Sequence, residues 1–232
     1  MDSPRFQRHD DLSESLGKDY FLAAHVDFST LTADLAALPG PCIVDLRLLG
    51  EDIDNARTLI SHGFLKICLL AMFSVELSGR NPGGPAAPET AIPPETAASR
   101  DASWIARHAN NLRLGCFALN PHISDEAWLA VHRGLVEKSL TSPEVLKFFL
   151  DDGFVSFRVH EDKAVIDFFS VLQGRRGTGS ALMTRLFDFA QSRGISHIEV
   201  VTECENVPAC LFYQKNNFRL TQTAGIFHYH KN

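Results

Sequence analysis

Ten residues, QGRRGTGSAL at 173–182, have the composition of an anion-binding loop. They stand between an apolar, β-branched run and an amphipathic stretch, so the order is strand, Gly-rich loop, helix. In that order the loop amides and the first unpaired N–H groups of the helix converge on one spot, where the helix dipole adds positive potential. Gly177 and Gly179 let the backbone approach an anion without a Cβ clash, Arg175 and Arg176 bring charge to the rim, and Ser180 is placed to cap the helix. The spacing excludes two other Gly-rich loops. A P-loop needs a GK[ST] ending, which is absent. A dinucleotide fingerprint needs a third glycine where this chain has Leu182, at the opening of a βαβ unit.

A second block lies downstream, ECENVPACLFYQKNNF at 203–218. Tyr213 falls on a short helix, either beside reacting atoms or in the core with its hydroxyl at the surface. Glu203 and Glu205 lie beside the strand end where a base could sit, although most such carboxylates are simply solvated. His228 and His230 alternate onto one face of the last strand; they line an acceptor pocket or face solvent on a sheet edge. Cys204 and Cys210 read as small buried hydrophobes.

Elements must place these blocks. Strands are expected over 153–159 and 164–172, joined by the polar turn HEDK, then a helix over 180–192. On that helix Leu182, Leu186 and Phe189 form one stripe and Met183, Phe187 and Ala190 another, a face wide enough to pack on a sheet. ISHIEVVT is the next strand, PACLFYQKNN a short helix and FRLTQTAGIFHYH a closing hairpin. Upstream, AWLAVHRGLVEKSL is a helix with Trp128, Val131, Leu135 and Val136 facing inward. PCIVDLRLL is a strand, EDIDNARTLISHGF a helix stopped by Gly63, and ICLLAMFSV a buried strand. Residues 80–100, RNPGGPAAPETAIPPETAASR, have no periodic apolar face and read as a linker. Three parts follow: an α/β region at 1–79, the linker at 80–100, and a domain at 101–232 that holds both chemical blocks.

Bulk properties narrow the class. Hydrophobic residues at 45% and charged residues at 22% are ordinary for a soluble globular protein. A net charge of -6 argues against nucleic acid or an acidic membrane as partner. The five cysteines have no CxxC spacing, so reduced thiols in a cytoplasmic protein are expected. The polar N-terminus shows no signal peptide, and the longest apolar run is half a membrane helix.

The two blocks together resemble the GNAT superfamily of N-acetyltransferases, whose loop reads [RQ]xxGxG[AS]xL and whose later block reads NxxAxxxYxxxGF. Here the later block is Asn206, Ala209, Tyr213 and Phe218, with Asn217 in place of the usual Gly; Asn tolerates the left-handed backbone a helix end needs. The loop departs at Gly174, with Gln173 one step earlier. The resemblance implies the GNAT fold, of α/β (α+β) class, with a mixed, mostly antiparallel central sheet flanked by helices and a smaller N-terminal α/β region. It implies acetyl-CoA as co-substrate, lying where the 170–172 strand end splays from ISHIEVVT. Pantetheine amides would pair with main chain at Ser170 and Val171. Amides of Arg175, Arg176, Gly177, Thr178, Gly179 and Ser180 would hold the pyrophosphate, and Asn206 the pantetheine arm. Tyr213 matches the general acid that protonates the departing thiolate, after direct attack by an amine in a ternary complex. Dimers are common in the superfamily, so a homodimer is one implied state.

Upstream, EDIDNARTLISHGF, CFALNPHIS and AWLAVHRGLVEKSL, with the ending TQTAGIFHYH, resemble segments of the dTDP-fucosamine N-acetyltransferases. That narrower likeness implies a nucleotide-linked amino-deoxysugar as acceptor, in surface-polysaccharide assembly. Asn120, Pro121 and His122 stand where that group has Ser-Arg-Phe, so an arginine is missing. Another small amine, such as a natural-product or antibiotic intermediate, and a non-catalytic acyl-CoA-binding module are the alternatives.

Overall fold

Among the described residues, apolar alternation and helical stripes resolve into seventeen elements. The computed structural model describes residues 6–23, 26–50, 52–77, 94–95, 100–174 and 176–232. In chain order these are β1 (Phe6–Arg8), α1 (Asp10–Leu16), β2 (Asp19–Ala23), α2 (Leu31–Ala37), β3 (Cys42–Leu49), α3 (Ile53–Ser61) and β4 (Leu65–Glu76). After the largely undescribed 78–99 segment come α4 (Ala102–Asn111), α5 (Cys116–Leu119), α6 (Asp125–Thr141), β5 (Leu146–Leu150), β6 (Gly153–His160) and β7 (Lys163–Val171). The chain ends with α7 (Thr178–Ser192), β8 (His197–Glu203), α8 (Val207–Lys215) and β9 (Arg219–Lys231).

The strands form one sheet in the order β1-β2-β3-β9-β4-β8-β7-β6-β5. Two neighbouring pairs, β2–β3 and β7–β8, run parallel. The others are antiparallel, so the sheet is mixed and mostly antiparallel, flanked by helices, as the sequence implies. β4, from the first 79 residues, lies between β9 and β8, so the sheet runs without a break through both expected regions.

β4 shows how the two faces are filled. Its Ala71, Phe73 and Val75 enter a core with Leu182, Met183, Leu186 and Phe187 of α7 and Tyr213 of α8. The alternate residues Cys68 and Leu70 meet Ala224 and Ile226 of β9, with Cys116 and Leu119 of α5 packed over them. Fully burying one such aliphatic or aromatic side chain contributes about 1.5–3 kcal/mol. Truncating Leu186, which is wholly buried, would therefore cost about 2–5 kcal/mol once the cavity is included.

Local signals end the elements as read, with two corrections. Gly63 at φ 86 follows α3, and Asn217 at φ 68 follows α8, where Phe218 N–H donates to Tyr213 O at 3.1 Å. The first correction is that residues 219–231 are one strand, not a hairpin, pairing with β3 on one side and β4 on the other. Gly225, the glycine within that segment, is extended. Its missing side chain instead makes room for the Phe227 ring, since a Cβ there would stand 2.8 Å from Cε2. The second is that α7 begins at Thr178 behind Gly177, earlier than the expected 180. No helix among the described residues is long and apolar enough to cross a membrane.

Candidate active site

The sheet opens at one seam. β7 and β8 pair from Lys163↔His197 to Ile166↔Val200 and no further. Both strands continue, to Val171 and Glu203. Against β6, the register of β7 shifts between Phe157↔Ile166 and Ser156↔Phe168, leaving Asp167 as the extra residue of a bulge. A bulge bends its strand, and this one follows directly on the last residue paired to β8. Arg158 Nη1 holds the Asp167 carboxylate at 2.7 Å; burial pushes its pKa up and the arginine opposes that. Leu172 N–H donates to Asp152 O across the β6 side at 2.8 Å. Strand alternation then turns the main-chain groups of Val171 and Phe169 into the gap, and those of Ser170 toward β6.

Helix α4 fastens the free end of β7. His108 Nδ1 lies 2.8 Å from Ser170 Oγ. Asn111 Nδ2 donates to that hydroxyl at 3.1 Å and to Val171 O at 3.2 Å. His108 is fully buried against Trp104 and Phe154, and burial lowers its pKa to about 4, so it is a neutral imidazole. Nothing in the sequence singled out His108 or Asn111, because their partners lie about sixty residues away.

Gly177, at φ 85, is the N-cap of α7, and no side chain caps that helix. The N–H groups of Thr178, Gly179 and Ser180 therefore lack helical acceptors. Ser180 sits exposed inside the first turn, so it is not the cap its spacing suggested; the left-handed turn at Gly177 starts the helix earlier. Thr178 Oγ1 donates to Asp152 Oδ1 at 2.7 Å. Gly179 packs against α8, for a Cβ there would stand 3.3 Å from Phe212 Cε2. Arg176 is exposed, and Arg175 lies outside the described residues.

Tyr213 is 4% exposed, its ring 6.3 Å from that of Phe169 on the unpaired end of β7 and 6.0 Å from Phe73. Burial pushes the phenol pKa far up, so it stays protonated. Asn206 is the N-cap of α8, its Oδ1 accepting from Ala209 N at 3.4 Å and its Nδ2 3.5 Å from Thr202 Oγ1. Glu203 and Glu205 now separate. Glu205 is exposed, whereas Glu203 is half-buried on the opposite face of the sheet from Tyr213. Burial raises the Glu203 pKa, and a hydrogen bond from the Cys116 backbone pulls against it. Cys204 and Cys210 are half-buried and pack against the main core, with burial raising both thiols. The solvent-facing edge considered for His228 and His230 is overturned. β9 is central, His228 is fully buried, and its neighbours on the two flanking strands are Asp45 and Leu65.

Residues 145–218 match the model of the acetyltransferase (GNAT) family. A 69-residue stretch is 32% identical to the uncharacterized protein YxbD of Bacillus subtilis (strain 168), covering 29% of this chain and 43% of that relative's length. Among solved structures, a conserved protein of unknown function from Staphylococcus epidermidis ATCC 12228 aligns with a TM-score of 0.60 at 11% identity, over 100% of this chain and 93% of that one. A GCN5-related N-acetyltransferase from Sphaerobacter thermophilus aligns at 0.50 and 17% identity, over 87% and 64%. At such identities the likeness is one of fold. The family match falls in the segment that contains the open seam, and the fold around it is shared with a GCN5-related N-acetyltransferase.

Proposed function

We propose that the chain transfers an acetyl group from acetyl-CoA to a primary amine, with the open seam between β7 and β8 as the cofactor cleft. The carrying observation is that seam: two strands that stop pairing at Ile166 and Val200, with a bulge at Asp167 and main chain beyond it that no longer pairs with β8. The residues present fit the group. Main chain at Val171 and Phe169 is turned toward the pantetheine position, while that of Ser170 is turned away, so the pairing belongs to the outer two. Uncapped amides of Thr178, Gly179 and Ser180, with Gly177 and the exposed Arg176, supply the diphosphate cradle. Asn206 stands at the mouth of α8, near the arm. Acetyl-CoA supplies a thioester carbonyl and a thiolate leaving group.

The chain's own groups then divide the proton work. Glu203 takes the proton that the amine loses as its nitrogen bonds to the carbonyl carbon, directly or through water. Tyr213 gives its hydroxyl proton to the sulfur as the C–S bond breaks. They approach from opposite faces of the sheet, which the opening at Ile166 makes accessible from both. Loss of thiol-releasing activity toward every amine offered, together with no heat on titration with coenzyme A, would sink this reading.

For the acceptor, the upstream likeness to dTDP-fucosamine N-acetyltransferases supports an amino-deoxysugar linked to a nucleotide. One observation favours the second reading, another small amine. Asn120, at the position of the missing Ser-Arg-Phe, is committed internally: its amide nitrogen lies 2.7 Å from His228 Nδ1 and 3.0 Å from His230 Nε2. Thiol release assayed across amino-sugar nucleotides and small amines separates the two.

A further inference from the structure

A cavity of about 340 Å³ opens where β4 starts and β9 ends, lined by Lys18, His122, His228 and His230, with Gly63, Leu65 and Asn232 completing the wall. It is within the size range of small-molecule sites. The chemistry it presents follows from one amide. Asn120 Oδ1 accepts from the backbone N–H of His122 at 2.9 Å, which fixes which end of the amide is oxygen. The Nδ2 end can only donate, and it lies within hydrogen-bond distance of His228 Nδ1 and of His230 Nε2. Both of those ring nitrogens must therefore carry lone pairs. The remaining nitrogens, His228 Nε2 and His230 Nδ1, carry the protons. His228 Nε2 is fully buried without a hydrogen-bond partner and faces Asp45 Oδ1 at 3.9 Å, itself without one. Asp45 Oδ2 is taken by the Tyr20 hydroxyl at 2.9 Å.

The lone-pair nitrogens of His228 and His230 are thus committed to the Asn120 amide, and the groups that remain for the cavity include donors. His230 Nδ1–H and the ammonium of Lys18 are two, and Lys18 forms no ion pair among the described residues. Among the described residues no Asp or Glu lines the cavity, and they hold no His, Cys, Asp and Glu grouping suited to a metal ion. In a chain of net charge -6, Lys18 places a positive charge at this cavity, which together with the larger effect of burial disfavours a proton on His230.

We propose that this cavity is a binding site for a small oxyanion, a carboxylate or a phosphate group, held by Lys18 and the Nδ1–H of His230 with His122 at the rim. It lies where β4 starts beside β9, with β8 between β4 and the open edge of β7, and it does not depend on the acyl-transfer reading. A buried Tyr20–Asp45–His228–Asn120–His230 chain is expensive to assemble inside a sheet, and orienting donors at a cavity gives it a use.

Isothermal titration of the full chain with inorganic phosphate and, separately, succinate tests this and distinguishes the two sources. Saturable binding of at least one anion is expected. Lys18→Ala and His230→Phe should each weaken it about tenfold, the loss expected for a charge-assisted hydrogen bond, and Arg176→Ala should leave it unchanged. Lys18 sits half-exposed at a turn, so that variant reports on binding even if His230→Phe lowers the melting temperature. Absence of saturable binding of either anion overturns the proposal, as does binding that Lys18→Ala leaves untouched or that Arg176→Ala abolishes.

Discussion

Two seams of the same sheet carry register shifts and end differently. β4 shifts twice against β9, between Lys66 and Cys68 and between Met72 and Phe73, yet the pair stays closed from Leu65↔His228 to Ser74↔Arg219. β7 shifts once against β6, and its pairing with β8 on the other side then ceases. The difference is what surrounds the bulge. β9 is paired along both edges, to β3 and β4, so a local bulge is reabsorbed by the long antiparallel ladders around it. β7 meets β8 over four residues at one end, and past Asp167 its described hydrogen bonds run to β6 and to α4 side chains. A bulge thus makes a cleft where the neighbouring ladder is short. The open seam presents main chain, suited to an extended amide-bearing ligand; the closed one can form a site only from side chains, as the histidine cavity does.

Tyr213→Phe is the strongest way to break the proposed use of the open seam. Turnover should fall roughly 10²-fold or more, the range for a lost general acid, with acetyl-CoA affinity nearly unchanged by calorimetry; wild-type rates would remove Tyr213 from the chemistry. Glu203→Gln should lower turnover by up to roughly 10²-fold at neutral pH. Because burial raises this carboxyl, its base form is lost as pH falls through a pKa above the usual glutamate range. Wild-type turnover should therefore decline on the acid side and the variant's profile should lack that limb, whereas identical profiles would exclude Glu203. Asn111→Ala tests what keeps the seam open. Removing its two hydrogen bonds to the end of β7, about 1 kcal/mol each, should raise KM for acetyl-CoA about fivefold or more, with kcat little changed. The smallest effect is at Asn206. Its Ala variant should lose about 1 kcal/mol of stability with the α8 cap, while Asn206→Asp keeps the capping oxygen. Weaker acetyl-CoA binding in the Asp variant would reveal a contact from Nδ2, and unchanged binding would leave Asn206 as a cap alone.

The sequence by itself determined the elements whose signals are local. The stripes of Leu182, Leu186 and Phe189 and of Met183, Phe187 and Ala190 mark α7, Gly63 and Asn217 end their helices at positive φ, and the loop before α7 has an anion-binding composition. These features depend on residues within one or two turns of each other, so one dimension suffices to read them. The hairpin expected at the C-terminus failed for a related reason: a glycine that makes room for an aromatic ring is locally indistinguishable from one that turns the chain. The tertiary structure alone decided that β4 enters between β9 and β8, that Glu203 is sheltered and Glu205 is not, and that His228 is buried beside Asp45. It also brought His108 and Asn111 to the end of β7. Period-two alternation says which residues share a face, but the identity of the neighbouring strand depends on pairing between distant segments. Burial, protonation and the opening of the seam all follow from that neighbour.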